Sequence, residues 1–342
     1  MSRSSRKWEH VQHALAVNRE KPNHFDEMSF LPNSLPNMFY GNSTLRTPLA
    51  KWELSSPILI NAMTGGSPET QEINQKLAIV AREKGLAMAV GSQMAAMKDK
   101  DLEASYKIVR KENQEGIIFA NLGAEATVEQ AKRAVAMIEA DALQIHLNVM
   151  QELIMPEGDR DFTGYLRNVE RLVKELEVPL IVKEVGFGMT RETYRRLVDI
   201  GIGIIDVGGR GGTNFAEIEN KRREHPLHMF ETWGLSTVQS LLEAHAWEKK
   251  GVDFIASGGI RHGLDVCKAI ALGASAAGMA GPFLELVQTK TIEQCLEAVD
   301  HFHHQIRVTL TALGCEQLSQ LQARPYTLSS ELWAWADQRG IK

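Results

Sequence analysis

Short apolar runs return along this chain at a regular interval. From residue 57 they read PILINAM (57–63), GLAMAVG (85–91), GIIFANLG (116–123), ALQIHLNV (142–149), PLIVKEVG (179–186), GIGIIDVGG (201–209), GVDFIASGG (251–259) and ASAAGMAG (274–281). Their starts lie mostly 22 to 37 residues apart, with one longer gap between the sixth and seventh. Between the runs the period changes from strand-like to helical. Ile73, Leu77 and Val80 share one helical face, as do Leu166, Val169, Leu172, Val173 and Leu176. Ser67-Pro68 reads as a cap followed by proline at the first helical position. Thr127…Gln130 and Ser236…Gln239 have capping-box spacing.

Strands alternating with helices predict a parallel sheet. Eight such units predict an α/β fold closed into a (β/α)8 TIM barrel. An open doubly wound sheet is the competitor, and the absence of a GxGxxG in the first unit argues against it. The expected organisation is one domain: an N-terminal helix/loop extension (1–56), the barrel (57–285) and a C-terminal helical segment (286–342). The extension is read as a helix over about 4–19 and a loop carrying Pro22, Pro32, Pro36 and Pro48.

The stretch QIHLNVMQE (144–152) shows what such a barrel does with alternation. Successive side chains on a strand point to opposite faces. Ile145, Leu147 and Val149 should pack beneath the outer helices, while Gln144, His146 and Asn148 point to the barrel axis. Active sites of this fold lie at the C-terminal mouth, so the later polar residues are placed nearest to it.

Composition narrows the partners. Lys+Arg 38 against Asp+Glu 43 gives a net charge of −5. That balance argues against nucleic acid or an anionic membrane as the main partner, so an anion must be held locally. The three cysteines, Cys267, Cys295 and Cys315, form an odd set without a CxxC pair and read as reduced thiols in a cytoplasmic protein. The first residues lack the apolar core of a signal peptide. The least polar run, 272–284, is too short and broken to span a bilayer.

The strand ends carry the candidate chemistry. Glycine-rich loops after strands 7 and 8, SGGIR (257–261) and MAG (279–281), suit a phosphate held by backbone N–H groups and a helix N-terminus. Met63, Thr64, Ser92, Asn121, Lys183 and Thr213 offer polar contacts around the mouth to a large flat cofactor. Lys183 could serve as a Schiff-base nucleophile, as a cation beside N1 of a reduced flavin, or as one half of an ion pair with a neighbouring carboxylate. Glu152 suits Mg²⁺, which often takes one or two carboxylates plus substrate phosphates, or is a solvated loop glutamate. Arg6, Lys7 and His10 share a helical face that could close on an anion, or belong to a solvated tail. HFHHQIR (301–307) is read as a helix surface rather than a metal site.

Ten ordered motifs then resemble one family, the flavin-dependent type II isopentenyl diphosphate isomerases. They are RKxxH (6–10), NAMTGG (61–66), AVGSQ (89–93), FANLG (119–123), QIHLNVMQE (144–152), MPEGDRDF (155–162), VKEVGFGM (182–189), GGRGGTNF (208–215), ASGGIR (256–261) and GASAAGMAGPFL (273–284). The resemblance implies an FMN-binding barrel that interconverts isopentenyl diphosphate and dimethylallyl diphosphate. It implies FMN contacts from Ala62, Met63, Thr64, Ser92, Asn121, Lys183 and Thr213, with Gly258, Gly259, Arg261, Ala280 and Gly281 around the phosphate. Arg6, Lys7, His10, Ser92, Gln93, Met94, His146, Asn148 and Gln151 would meet the substrate, and Glu152 the Mg²⁺. Gln151, His146 and Lys183 would be catalytic. NADPH would serve only to reduce the flavin, which then acts as an acid/base. A homo-oligomer, tetramer or octamer, is also implied. Two rivals remain open: an FMN-dependent 2-hydroxy-acid oxidase using Arg210 and Arg261 to clasp a carboxylate, and a non-catalytic flavin-binding barrel.

Overall fold

The computed structural model describes residues 23–247 and 251–341. The expected helix at 4–19, with Arg6, Lys7 and His10, lies outside the described residues.

All eight apolar runs form strands of one closed parallel barrel: β1 (Ile58–Ile60), β2 (Ala87–Ala89), β3 (Ile118–Gly123), β4 (Ala142–Leu147), β5 (Leu180–Glu184), β6 (Ile204–Asp206), β7 (Asp253–Ser257) and β8 (Ala276–Met279). Neighbours pair in sequence order, and β8 closes on β1 through Ala277↔Ile58 and Met279↔Ile60. The principal outer helices are α1 (Pro68–Lys84), α2 (Ala104–Glu112), α3 (Val128–Met137), α4 (Tyr165–Glu175), α5 (Arg191–Asp199), α6 (Thr237–His245), α7 (Gly263–Ala271) and α8 (Gly281–Thr289). Their caps are the ones that the sequence announces. Ser67, Thr127 and Ser236 each accept from the backbone N–H three residues on, within reciprocal capping boxes. Ile73, Leu77 and Val80 are at most 1% exposed, and Val169 and Leu172 are equally buried.

Inside the barrel the chemistry is stratified. Leu59, Ala87, Ala89, Phe119, Ala142, Ile181, Ile204, Ile255 and Ala276 form an apolar lower layer, closed beneath by the hairpin Thr47–Leu49/Trp52–Leu54. Two residues further along each strand the inward positions become Asn61, Asn121, Gln144, Lys183, Asp206 and Ser257, with Gly91 and Gly278 at β2 and β8. Period-two alternation along parallel strands produces this layering directly. Burial of the lower layer supplies cohesion, and the upper layer forms a polar floor under the mouth.

Strand β4 ends two residues earlier than the alternation predicts. Its last residue is Leu147, and Val149–Ile154 turns into a short helix with Asn148 at its N-cap position. Val149 is therefore 38% exposed rather than packed beneath the helices. The polar trio at 144, 146 and 148 still faces the mouth side, but only its first two members do so from a strand.

The segments flanking the barrel meet each other. Met28–Phe30 pairs antiparallel with Tyr326–Leu328, and helix α9 (Ile292–Leu313) packs on α1 and α7. His301 and His304 sit on the exposed face of α9, and among the described residues no group of three metal-type ligands occurs. No described helix is long and apolar enough to cross a membrane.

Candidate active site

The polar floor is a directed chain of hydrogen bonds. Asp206, fully buried, accepts from Asn61 Nδ2 at 2.7 Å. Asn61 Oδ1 accepts from Gln144 Nε2 at 3.2 Å. Gln144 Oε1 accepts from Asn121 Nδ2 at 3.1 Å, and Asn121 Oδ1 lies 2.9 Å from His146 Nδ1. A carboxylate anchors one end, and an ionised carboxylate only accepts. Every amide orientation then follows in turn, and the last oxygen requires a proton on His146 Nδ1. The tautomer of a mouth histidine is thus fixed from the opposite side of the barrel, with Nε2 left as the acceptor when the ring is neutral.

Lys183 reaches the same floor. Its Nζ lies 3.2 Å from Asp206 Oδ2, 3.0 Å from the Glu184 carbonyl and 3.3 Å from Ser257 Oγ. Of the readings the sequence leaves open for Lys183, the ion pair is present. The neighbouring Glu184 is turned away. One of its carboxylate oxygens accepts from the backbone N–H of Gly186 (2.7 Å) and of Phe187 (2.5 Å). Burial pushes its carboxyl up to about 8 despite those two donors.

A second group stands on two short helices above the floor. Gln151 and Glu152 belong to Val149–Ile154, which packs against Phe215–Asn220. Gln151 Nε2 donates to Glu219 Oε1 at 3.0 Å. Glu219 is fully buried and also accepts from Arg222 at 2.6 Å, while Arg222 pairs with Glu157. Glu152 accepts from Asn148 Nδ2 at 2.8 Å through one oxygen and from the Asp159 N–H at 2.9 Å through the other. Each oxygen keeps lone-pair capacity for one further partner.

The loops after β6, β7 and β8 form the third group. Gly258 and Gly259 hold φ angles of +99° and +80°. A Cβ on Gly258 would lie 1.9 Å from the Gly209 carbonyl oxygen, and one on Gly259 would lie 2.9 Å from Gly211 Cα. Only glycine tolerates both the conformation and the approach. Beside them α8 begins at Ala280–Gly281 with no side-chain cap, so its first N–H groups have no side-chain acceptor. Thr64 is 4% exposed and its Oγ1 has no hydrogen-bond partner. Met63, Ala62, Ser92, Met94 and Thr213 are half-buried around the mouth.

Two predicted residues have other partners. Gln93 is fully buried, with Oε1 accepting from the Asn121 N–H (3.0 Å) and Nε2 donating to the Ala134 carbonyl (3.0 Å). It clamps the end of β2 to β3 and α3. Arg261 forks onto Asp26, at 2.7 and 3.1 Å, and its Nε binds Asp265 at 3.0 Å. Arg210 NH1 donates to the Thr232 carbonyl at 2.8 Å. The arginine pair that an oxidase would need is therefore committed elsewhere on the Arg261 side.

Asn61, Asp206 and Glu219 were not among the residues expected at the site, and Ser257 entered only as the first residue of the SGGIR loop. The signal for Asn61, Asp206 and Ser257 is in the sequence. Each stands two residues beyond an inward apolar residue of its strand, as Lys183 stands beyond Ile181. Glu219 has no such local signal, because it acts through a helix–helix contact.

Solved structures with this architecture include mandelate oxidase, at 17% identity and TM-score 0.62 over 94% of this chain and 91% of that one. A mandelate oxidase variant with the monooxide FMN adduct matches at 18% identity and TM-score 0.63, over 93% and 92%. At these identities the likeness shows the fold. A family model described as FMN-dependent dehydrogenase matches residues 121–327. Curated relatives named isopentenyl-diphosphate delta-isomerase match across all 342 residues, 98% of their own length. The Geobacillus sp. (strain WCH70) protein is 50% identical, that of Bacillus licheniformis 49%, and that of Bacillus mycoides (strain KBAB4) 52%. The chain accordingly belongs to the FMN-dependent dehydrogenase family and, by full-length identity, to the isopentenyl-diphosphate delta-isomerase family.

Proposed function

We propose that the protein interconverts isopentenyl diphosphate and dimethylallyl diphosphate at the mouth of its barrel. The observation that carries the reading is the half-identity over the whole chain to enzymes named for that reaction.

The residues present fit FMN. A partnerless buried hydroxyl at Thr64, the glycine cradle at 258–259 and the uncapped start of α8 are the features a flavin ring and its phosphate would complete. When bound and reduced beforehand by NADPH, the flavin supplies an acid/base centre able to move a proton at an alkene, which ordinary side chains do poorly. Lys183 and Asn121 would lie beneath the ring, with the Gly258, Gly259, Ala280 and Gly281 backbone at its phosphate. The Arg261 guanidinium, tied to Asp26 and Asp265, would stiffen that loop rather than clasp the phosphate.

The chain's own groups would do the rest. His146, Asn148 and Gln151 would orient the diphosphate, together with Ser92, Met94 and the cationic Arg6, Lys7 and His10. Glu152 would contribute one carboxylate to Mg²⁺, with the substrate supplying further oxygens. Glu219 fixes the Gln151 amide by taking its N–H, which turns the Gln151 carbonyl outward as a proton acceptor. Holding the short prenyl tail in one pose converts proton transfer into a local event. We place the protein in the cytoplasm as a homo-oligomer. Three buried free thiols suit a reducing compartment, and the exposed Leu35, Phe39, Met229, Trp233 and Trp333 suit burial between copies.

The test is direct. Protein loaded with FMN, reduced by NADPH and incubated with isopentenyl diphosphate and Mg²⁺ should yield the allylic isomer. No product, or flavin bleaching by 2-hydroxy acids without NADPH, would overturn the proposal.

A further inference from the structure

Lys183 would be the flavin's nearest cation, yet it does not stand alone. Asp206 lies directly against it, and the carboxylate is saturated. Oδ1 accepts from Ser257 Oγ at 2.5 Å and from the Gly208 N–H at 3.2 Å. Oδ2 accepts from Asn61 Nδ2 at 2.7 Å and from Lys183 Nζ at 3.2 Å. Four donors on two oxygens are the full complement of an ionised carboxylate and leave no room for a proton on it. The pair is therefore Lys⁺/Asp⁻, with zero net charge, in a floor whose other members are neutral amides and a hydroxyl.

Two buried titratable groups feel the pair: Glu184 interacts with the Lys183 charge and Tyr194, whose hydroxyl donates to the Ser240 carbonyl at 2.9 Å, with that of Asp206, but neither is hydrogen-bonded to the Lys183 ammonium or the Asp206 carboxylate through its ionisable group. From β5, Glu184 turns to the Gly186 and Phe187 amides. From β4, His146 is separated from Asp206 by the three amides of the relay. Strands β1 and β7 present only Asn61 and Ser257. Beyond β6, Arg210 donates to the Thr232 carbonyl and keeps its charge, which is the same in every variant compared below, and Arg261 at the β7 loop is neutralised by Asp26 and Asp265.

We infer that Asp206 is a positioning residue that cancels the Lys183 charge, so that the floor beneath the cofactor favours reduced FMN in its neutral form, protonated at N1. This rests on the reading of the mouth as an FMN site. A lone cation there would draw the N1 proton off and stabilise the anion. A paired one acts as a fixed dipole and hydrogen-bond donor only. For an enzyme that uses its reduced flavin as an acid, retaining that proton is the useful state; an enzyme exporting electrons to an acceptor has no such need. Asp206 thus deepens the isomerase reading: its task is to set the flavin's protonation rather than to touch substrate.

The experiment is a pH titration of the anaerobically reduced, FMN-loaded protein, following the absorbance change between neutral and anionic reduced flavin. Asp206→Asn leaves Lys183 uncompensated and should move the N1 transition to lower pH. Lys183→Met leaves Asp206 uncompensated and should move it to higher pH. The double variant, again neutral, should return towards the wild type. A structural defect alone would move both single variants the same way, and that result would overturn the inference, as would an unmoved transition in both. If Asp206→Asn does not fold, Lys183→Met and the double variant decide the matter alone. Failure of the wild-type protein to bind FMN would be a different result and would refute the proposed function itself.

Discussion

Asn61 holds the middle of the polar floor, and replacing it with leucine, a residue of nearly the same shape, tests whether the floor is a single connected unit. Asn61 is 1% exposed. Its Nδ2 donates to Asp206 and its Oδ1 accepts from Gln144. Leucine removes a hydrogen bond to a charged acceptor, worth about 1.5–3 kcal/mol, and strands the Gln144 amide donor, costing about 1–3 kcal/mol more. The extra apolar contact recovers a fraction of this in a polar layer. The expected net loss is about 3–5 kcal/mol, a large share of the about 5–15 kcal/mol typical of a folded protein. Equilibrium unfolding in urea, read from the fluorescence of the six tryptophans, measures it. Nitrogen NMR of His146 supplies a second readout, since the relay predicts a proton on Nδ1 in the wild type and loss of that constraint in the variant. A loss below about 1 kcal/mol with His146 unchanged would refute the connected floor.

Three further outcomes are expected. Gln151→Ala should slow turnover of bound substrate by an order of magnitude or more, and Glu219→Gln should lower kcat more than it raises KM; normal activity in both would remove the amide from the mechanism. Glu152→Gln should weaken the Mg²⁺ dependence of activity, and a wild-type Mg²⁺ response in the variant would exclude it as a ligand. His303 is held neutral, its pKa lowered to about 4 chiefly by burial, with Ser56 Oγ accepting from the Ile58 N–H and so turning its own proton to His303 Nε2. A depressed histidine contributes stability that is intact above about pH 6.5 and lost as pH falls towards 4. Allowing for partial exposure, that is about 2 kcal/mol, and His303→Gln should flatten this part of the urea midpoint against pH; an equally steep profile in the variant would show that other groups carry it.

Most of the architecture was legible because period-two and period-3.6 patterns alternate eight times with caps at the junctions. The capping boxes at Thr127 and Ser236 are local chemistry, and local chemistry survives folding. What failed is equally physical. Val149 continues the alternation of β4, yet the chain coils into a helix there, since alternation alone cannot say where hydrogen-bonding partners on the neighbouring strand run out. Gln93 looks like a mouth residue by position, but its amide fits the gap between β2 and α3. The Lys183–Asp206 pair joins two strands across 23 positions, a distance that no spacing rule bridges. Glu219 meets Gln151 only because two short helices dock. The site was readable as a set of polar strand ends; who pairs with whom was not.

The antiparallel pairing of Met28–Phe30 with Tyr326–Leu328 has a consequence for how the molecule is made. Glu27 and Ser329, 302 positions apart, are hydrogen-bonded beside it. During synthesis the early strand must wait, unpaired, until Tyr326–Leu328 have left the ribosome, after all eight barrel strands, so its seam closes late. It also brings distant parts of the chain side by side, and a permuted gene that joined them through a short linker and opened the chain elsewhere would keep every barrel strand in its place.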